Sequence, residues 1–192
     1  MVTGVPNRSP SRTRHRFTVE EYEALWTQGI LGHSIRFELL HGEIVEMSPI
    51  GRRHLYIVNN LNRELVLAVN HAVGEISTQN PIILAPHDAP EPDFAVLRVS
   101  PDLHQHSPIA SDVWLVIEVS DSTLSEDLND KLPMYAGAGI EEAWIVDVNN
   151  EVVTRYTQPI GDRYLSSTSF KRGDVIGSTV LEVRIDVEKI FH

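Results

Sequence analysis

The chain has 192 residues, of which 42% are hydrophobic and 22% charged. These values are typical of one globular domain with a hydrophobic core. The absence of cysteine excludes disulfides and thiolate zinc sites, and no apolar run approaches the roughly 18 residues of a membrane span. The formal net charge of −11 disfavours non-specific binding to nucleic acid, so such binding needs a local basic patch, a bound cation or a partner. We expect a cytoplasmic protein with no membrane association.

The N-terminal residues 1–16 contain four arginines and no acid, and they show no apolar face. We interpret them as a disordered basic tail rather than an organelle transit peptide. The remainder, 17–192, is expected to form a single domain. It opens with a helix, because Thr18 and Glu21 have the spacing of a capping box and Gly29 stands where a helix ends.

A β-hairpin and a long helix are predicted next. Residues 35–47 alternate between apolar and polar side chains on both sides of His41-Gly42, which is typical of a hairpin. Apolar residues then recur at helical spacing from about residue 53 to residue 73, and Gly74 is expected to close this helix.

The second half of the chain alternates between strands and helices. A helix is predicted after the central strand and a short one at the end of the chain. Strand-like runs are found at 82–84, 94–97, 113–119, 143–148, 152–156, 164–170 and 180–185. This order predicts an α+β domain built on one mixed sheet.

Glu118 is the unusual residue of the central strand, which otherwise reads Val113-Trp-Leu-Val-Ile117. With strand alternation, Trp114, Val116 and Glu118 share one face. An ionised carboxylate at the end of such a strand is costly unless a cation, a metal or several donors meet it. The helix that follows carries an amine, Lys131, so the pattern indicates a metal-dependent site.

The residues around this strand also have simpler interpretations. Asp127 and Lys131 are four residues apart, the spacing of an exposed helix ion pair. We prefer that interpretation for Asp127 and a functional one for Lys131. The simple interpretation of Asp93, which follows Pro92, is that it starts a turn or accepts backbone N–H bonds. For Glu118 the simple interpretation is a buried ion pair, and we favour a metal ligand instead.

Four segments in order resemble one family: FELLHGEIVEMSP, EPDFAVL, WLVIEVSDST and DLNDKLPMYAGAGIEEAWIVD. Together they resemble the Uma2 endonucleases of the PD-(D/E)XK, restriction-endonuclease-like superfamily, over residues 17–164. The resemblance implies a restriction-endonuclease-like core, in which a central mixed β-sheet is flanked by helices and preceded by an N-terminal helix and β-hairpin.

The resemblance also implies a set of site residues. Asp93 and Glu118, with the Val119 carbonyl, would hold Mg²⁺ or Mn²⁺, whose coordination shell favours oxygen. The superfamily places a lysine two residues after the second acid, but that position is Ser120 here. Lys131 resembles a lysine that has migrated to the following helix, where it would orient the attacking water.

Two further candidates come from the family's N-terminal motifs. Glu38 and His54 would reach the metal through water or touch the substrate. In the simpler interpretation, Glu38 faces outward from the hairpin and His54 is an ordinary residue at the N-terminal end of a helix. Arg52 and Arg53, at the start of the long helix, are candidates for phosphate contact, with a solvated turn as the alternative.

Two functions remain open. The first is a Mg²⁺-dependent endonuclease that cleaves nucleic acid, with DNA favoured, and works as a homodimer. The second is a catalytically inactive domain of the same fold that binds nucleic acid or a protein partner. The retained acids and Lys131 favour the first, and the acidic composition and displaced lysine favour the second.

Overall fold

A computed structural model describes residues 13–32, 35–102 and 105–192. Residues 1–12, most of the predicted basic tail, lie outside these ranges. The first helix, α1 (Val19–Thr27), begins with the predicted capping box: the Thr18 hydroxyl accepts from the Glu21 N–H, and the Glu21 carboxylate accepts from the Thr18 N–H. Gly29 follows the helix with a φ of 69°, so the predicted end is also confirmed.

The predicted hairpin is formed by β1 (Phe37–Leu40) and β2 (Glu43–Glu46). His41 and Gly42 occupy the turn with φ values of 54° and 77°. Two consecutive positive φ values are those of the tight turn that matches the twist of a hairpin. Residue Leu39 also bridges to Ala89, which holds the hairpin against the segment that leads into Asp93.

The long helix α2 spans Arg52–Ala68 and is shorter than predicted. The expectation that Gly74 closes it was wrong, because Gly74 is the first residue of strand β3 (Gly74–Thr78). A Cβ on Gly74 would lie 3.0 Å from side-chain carbons of Val69 and Val96. The glycine is therefore explained by close packing at the start of a strand.

Six strands form the central sheet in the order β3-β4-β5-β6-β7-β8. The β5–β6 pair is parallel and the other pairs are antiparallel, so the predicted mixed sheet is confirmed. The strands after β3 are β4 (Phe94–Arg98), β5 (Val113–Ser120), β6 (Glu142–Asp147), β7 (Val152–Ile160) and β8 (Arg163–Lys171).

Two predicted strands lie outside this sheet. Among the described residues, 82–84 form a single isolated bridge, Ile83 to Ile109, because their N–H groups bond to loop carbonyls such as that of Pro90. Segment 180–185 does not finish the sheet. Its end belongs to β10 (Arg184–Asp186), which pairs with β9 (Val175–Gly177) in a separate two-stranded sheet.

Helices cover both faces of the central sheet. Helix α2 and the final helix α5 (Val187–Ile190) pack on one face, against Leu115, Ile117 and Val119 of β5. The other face, which includes Val116, packs against the helix that follows β5. The expectation that Trp114 shares the Val116 face was wrong. Val96 pairs with Leu115 and Leu97 with Val113, so a bulge displaces Trp114 toward the α2 side.

The helix after β5 contains a widened turn. It consists of α3 (Leu124–Glu126), a π-helical turn (Asp127–Lys131) and α4 (Leu132–Gly137). The Leu132 N–H bonds to the Asp127 carbonyl, five residues back. Pro133 explains the wide turn, because its ring has no N–H and would clash with the carbonyl four residues back in a regular helix.

None of the helices in the described part of the chain is long and apolar enough to cross a bilayer.

Candidate active site

All five residues predicted as catalytic line one pocket of about 190 Å³. The pocket lies where the hairpin and the start of α2 meet the end of β5 and the π-helical turn. Its lining includes Glu38, His54, Asp93, Glu118 and Lys131, together with Val119. The structure therefore brings together side chains from five separate segments.

The pairing of β4 with β5 brings the two predicted metal ligands together. These strands are antiparallel and Phe94 pairs with Ile117, so Asp93, just before β4, lies beside Glu118 near the end of β5. The Asp93 N–H points to Glu118 Oε2 at 3.4 Å, and the Val119 N–H donates to Asp93 Oδ2 at 2.9 Å.

Asp93 is held by three donors. His54 Nε2 lies 3.0 Å from Oδ2, and Gln79 Nε2 donates to Oδ1 at 3.1 Å; the Val119 N–H is the third. Burial is the largest single influence and favours the neutral acid, but these donors together outweigh it and lower the pKa of Asp93. Because a carboxylate only accepts hydrogen bonds, Nε2 carries the proton in the contact with His54.

His54 has one ring nitrogen without a partner. Its Nδ1 is buried and makes no hydrogen bond to any described residue. Burial opposes the charged imidazole most strongly, yet the hydrogen bond and charge of Asp93 outweigh it and raise the pKa of His54. The ring thus holds Asp93 on one side and leaves a buried polar atom beside the pocket.

Lys131 joins the hairpin to the central strand. Its Nζ lies 2.7 Å from Glu38 Oε1 and 3.4 Å from Glu118 Oε1, and all three side chains are buried. Glu38 therefore does not face outward from the hairpin, as one interpretation had it. Burial opposes the charge on Lys131, but Glu118 and Glu38 outweigh it and raise the lysine pKa.

Glu118 has a second close donor. The Tyr135 hydroxyl donates to Glu118 Oε1 at 2.5 Å, and both side chains are fully or almost fully buried. Burial raises the pKa of Glu118 well above its usual value, and the nearby acids Asp127, Asp93 and Glu38 add to this, while Lys131 opposes it. A buried phenol in this setting also has a raised pKa, so Tyr135 stays protonated and donates.

Asp127 is not part of an exposed ion pair, so our preferred interpretation of it was wrong. Its side chain is buried, and its Oδ2 accepts hydrogen bonds from the Ser120 and Thr123 hydroxyls at 2.6 and 2.8 Å. Burial raises its pKa. Ser120, at the position where the superfamily has its lysine, therefore anchors the helix that carries Lys131.

The two arginines lie beside the pocket and do not line it. Arg53 donates to Asn149 Oδ1 and to the Val148 carbonyl, both at 3.0 Å, and is 3.5 Å from Asp121, which does line the pocket. Arg52 is exposed. The pair borders a neighbouring depression with Tyr56 and Phe191.

The Uma2 family, described as "Putative restriction endonuclease", matches residues 19–188 of the sequence. The chain belongs to the Uma2 family. Its fold is also similar to the crystal structure of "a putative nuclease belonging to DUF820 from Anabaena variabilis ATCC 29413", with a TM-score of 0.66 and 16% identity. The alignment covers 91% of this chain and 97% of that one, and at this identity it shows the fold. A comparison with curated proteins found no match.

The donor set of this Uma2 pocket fits a hard divalent cation. Among the described residues, Asp93 Oδ1 and Glu118 Oε2 each accept one hydrogen bond. The other oxygen of Asp93 accepts two, and that of Glu118 accepts one from Tyr135 and forms an ion pair with Lys131. Within the described ranges no group of three or more His, Cys, Asp or Glu side chains is arranged to hold a metal. Mg²⁺ needs no such cage, because it keeps several waters and commonly uses one or two carboxylates.

The sequence interpretation missed three residues that contact the two acids or their neighbours. Tyr135 had a usable signal, since Asp127, Lys131 and Tyr135 recur every four residues and so share one helix face. Thr123 follows the strand directly and was treated only as loop. Gln79 had no signal, because it adopts a φ of 52° just after β3, a strand that the sequence pattern did not reveal.

Proposed function

We propose that this Uma2 protein is a divalent-metal-dependent endonuclease that hydrolyses phosphodiester bonds in nucleic acid, with Mg²⁺ or Mn²⁺ as cofactor. The observation that supports this most is the charge of the pocket. Four buried carboxylates line it: Glu38, Asp93, Glu118 and Asp127. The cations in the lining are buried Lys131, His54 when protonated, and Arg36, which is already paired with Glu91. A divalent cation supplies the positive charge that the protein groups lack.

Asp93 and Glu118 are the proposed metal ligands, together with the Val119 carbonyl. When bound, the ion supplies Lewis-acid chemistry, which activates water at neutral pH and offsets the charge on the phosphate. His54 and Gln79 hold the Asp93 carboxylate by donating to its two oxygens.

Lys131 is the proposed catalytic lysine. An ammonium has three N–H donors, and Lys131 donates one of them to Glu38 and forms an ion pair with Glu118. A further N–H is the proposed donor to a water or phosphate oxygen in the pocket that Lys131 lines. Glu38 keeps the ammonium in place from the hairpin side, which is a role distinct from binding the metal.

DNA is the proposed substrate, and a homodimer the proposed assembly that places two sites on two strands. The family description as a restriction endonuclease supports DNA, and the dimer rests on analogy with such enzymes. Arg52, which is exposed near the pocket mouth, is the better placed of the two arginines for a phosphate contact, since Arg53 already donates to Asn149 and Val148.

The alternative is an inactive domain that only binds nucleic acid or a protein partner. Two observations favoured it in the sequence, the displaced lysine and the acidic composition, and the first no longer does. The displaced lysine favoured it, but Lys131 lies within 3.4 Å of Glu118 and so supports the enzyme. The acidic composition remains compatible with either function.

Calorimetric titration of Mn²⁺ tests the metal site without a known substrate. We compare the wild type with Asp93→Asn and Glu118→Gln, which preserve shape. Glu142→Gln is the matched control, because Glu142 is equally buried in the neighbouring strand but hydrogen-bonds to Trp144 and Thr179, away from the pocket.

We expect saturable binding in the wild type and control, and its loss in both site variants while circular dichroism shows them folded. Cleavage of plasmid and single-stranded DNA, with and without Mg²⁺, then follows. Absence of metal binding by the wild type, even with DNA present to complete the coordination shell, would contradict the metallonuclease proposal.

A further inference from the structure

We propose that Tyr135 is a positioning residue for Glu118, and this rests on the function proposed above. Its hydroxyl holds one oxygen of the carboxylate so that the other remains directed to the shared site with Asp93. Tyr135 was not among the predicted site residues, and it does not line the pocket.

The hydrogen bonds of Glu118 divide its two oxygens into distinct roles. Oε1 meets both the Tyr135 hydroxyl at 2.5 Å and Lys131 Nζ at 3.4 Å. Oε2 meets the Asp93 N–H at 3.4 Å, a longer and weaker hydrogen bond than that from Tyr135 to Oε1. Because a carboxylate is planar and rigid, anchoring Oε1 fixes the position of Oε2. Oε2 is therefore the oxygen available to a cation next to Asp93.

Tyr135 is itself firmly held, so it can impose this orientation. The side chain is completely buried in the core between the sheet and α4, which includes Leu132, Ile140 and Ala143. Its backbone carbonyl accepts from the Ile140 N–H, which ties the end of α4 to the start of β6. The ring thus cannot turn away without disturbing the packing of α4.

Lys131 alone does not fix Glu118 in the same way. The ammonium is shared with Glu38, whose contact is the shorter of the two, 2.7 Å against 3.4 Å. The phenol makes one directed hydrogen bond, and Glu118 Oε1 is its acceptor. Packing needs only the ring, whereas orientation of Glu118 needs the hydroxyl, so the two roles can be separated by experiment.

Tyr135→Phe removes the hydroxyl and keeps the ring. The matched control is Tyr164→Phe, because Tyr164 packs against the same core cluster and donates to a backbone carbonyl, that of Ile140, without touching a carboxylate of the pocket. Both variants and the wild type are titrated with Mn²⁺ by calorimetry and melted in the absence of metal. We expect the Kd for Mn²⁺ to rise about tenfold or more in Tyr135→Phe and to stay within twofold of wild type in the control.

The melting temperature separates positioning from a structural role. Positioning predicts that both variants lower Tm by similar amounts while only Tyr135→Phe weakens metal binding. A Kd unchanged in Tyr135→Phe, with the wild type binding Mn²⁺, overturns the positioning role and leaves the proposed function intact. Failure of the wild type to bind Mn²⁺ overturns both.

Proton NMR of the wild type gives a second measurement that does not depend on a variant folding. A short, buried O–H···O bond protects the Tyr135 hydroxyl proton from exchange and shifts its signal downfield. Addition of diamagnetic Mg²⁺ should move this signal, because the acceptor carboxylate then binds a cation, and should leave that of Tyr164 in place. A Tyr135 signal that is insensitive to saturating Mg²⁺ would contradict the inference.

Discussion

Replacement of Lys131 by methionine removes the one cation in the described part of the chain that contacts both Glu38 and Glu118. Methionine keeps most of the apolar stem and leaves the charge as the main difference. Both carboxylates are almost fully buried, with exposures of 2% and 3%, so water cannot take over the role of the ammonium. Removing one partner of a buried ion pair typically destabilises a protein by about 3–5 kcal/mol.

The pH dependence of the loss can be worked out from the acids left behind. In the variant one of them must take up a proton, although its ordinary pKa is 4.5. Each pH unit above that value costs about 1.4 kcal/mol, which gives roughly 3 kcal/mol at pH 7 and about 1 kcal/mol at pH 5.5. The sign follows from a folded-state pKa that is raised: the loss relative to the wild type is smallest at pH 4.5 and below, and it grows as pH rises.

Urea unfolding of both proteins at pH 5.5 and pH 7, without metal, measures this difference. Lys189→Met is the control, since Lys189 is mostly exposed and pairs with Glu64 at 3.5 Å. This variant should change the free energy of unfolding by at most about 0.5 kcal/mol. Adding Glu38→Gln to Lys131→Met should recover much of the loss, because one buried charge disappears with its partner. A loss below about 1 kcal/mol at pH 7, or one that does not change with pH, would refute the description of this cluster as a buried ion network.

Three further predictions concern the metal and the substrate. The affinity for Mn²⁺ should rise as pH increases above the ordinary carboxyl range, because burial raises the pKa of Glu118 and its carboxyl group must lose a proton to bind a cation. Calorimetry in buffers of different ionisation enthalpy should show proton release, and a pH-independent Kd would contradict this. Mn²⁺ at a hundred times its Kd should raise the free energy of unfolding of the wild type in urea by about 2.7 kcal/mol and leave that of Asp93→Asn unchanged. Equal stabilisation of both proteins would mean that the ion binds at a site without Asp93. Arg52→Ala should weaken DNA binding and reduce the slope of log K against log salt concentration by about one. The control Arg184→Ala, on β10, should change neither. Equal slopes for the wild type and both variants would exclude Arg52 as a phosphate contact.

Helix starts, tight turns and apolar strands could be predicted because short runs of neighbouring residues specify them. The capping box of α1, the His41-Gly42 hairpin and the apolar central strand each depend on residues adjacent in the chain, and each is present. The resemblance to the Uma2 motifs then predicted that Asp93, Glu118 and Lys131 share one site. The two acids lie side by side in the structure because the antiparallel β4–β5 pair places the start of one strand beside the end of the other.

Burial of charged residues could not be predicted from the same signals. Asp127 and Lys131 have a spacing that suits an exposed ion pair as well as a buried one. Lys131 is buried against the hairpin, where Glu38, 93 residues earlier in the sequence, accepts a hydrogen bond from its ammonium. Asp127 is buried at the end of β5, where Ser120 donates to it. Gly74 was assigned to a helix end for a related reason, since its close contacts are with Val69 and Val96 and appear only in the folded chain.

The position of Lys131 explains how the site keeps its charge without a lysine in the strand. Residue 120 lies two positions after Glu118 and on the same face of β5, where the superfamily lysine would project. Here Ser120 is short and donates to Asp127, which anchors the first turn of the following helix. Lys131, the last residue of the wide turn that Pro133 explains, reaches Glu118 from the helix side. The ammonium thus lies next to the second acid although a different element carries it, and the chemistry available in the pocket depends on that contact.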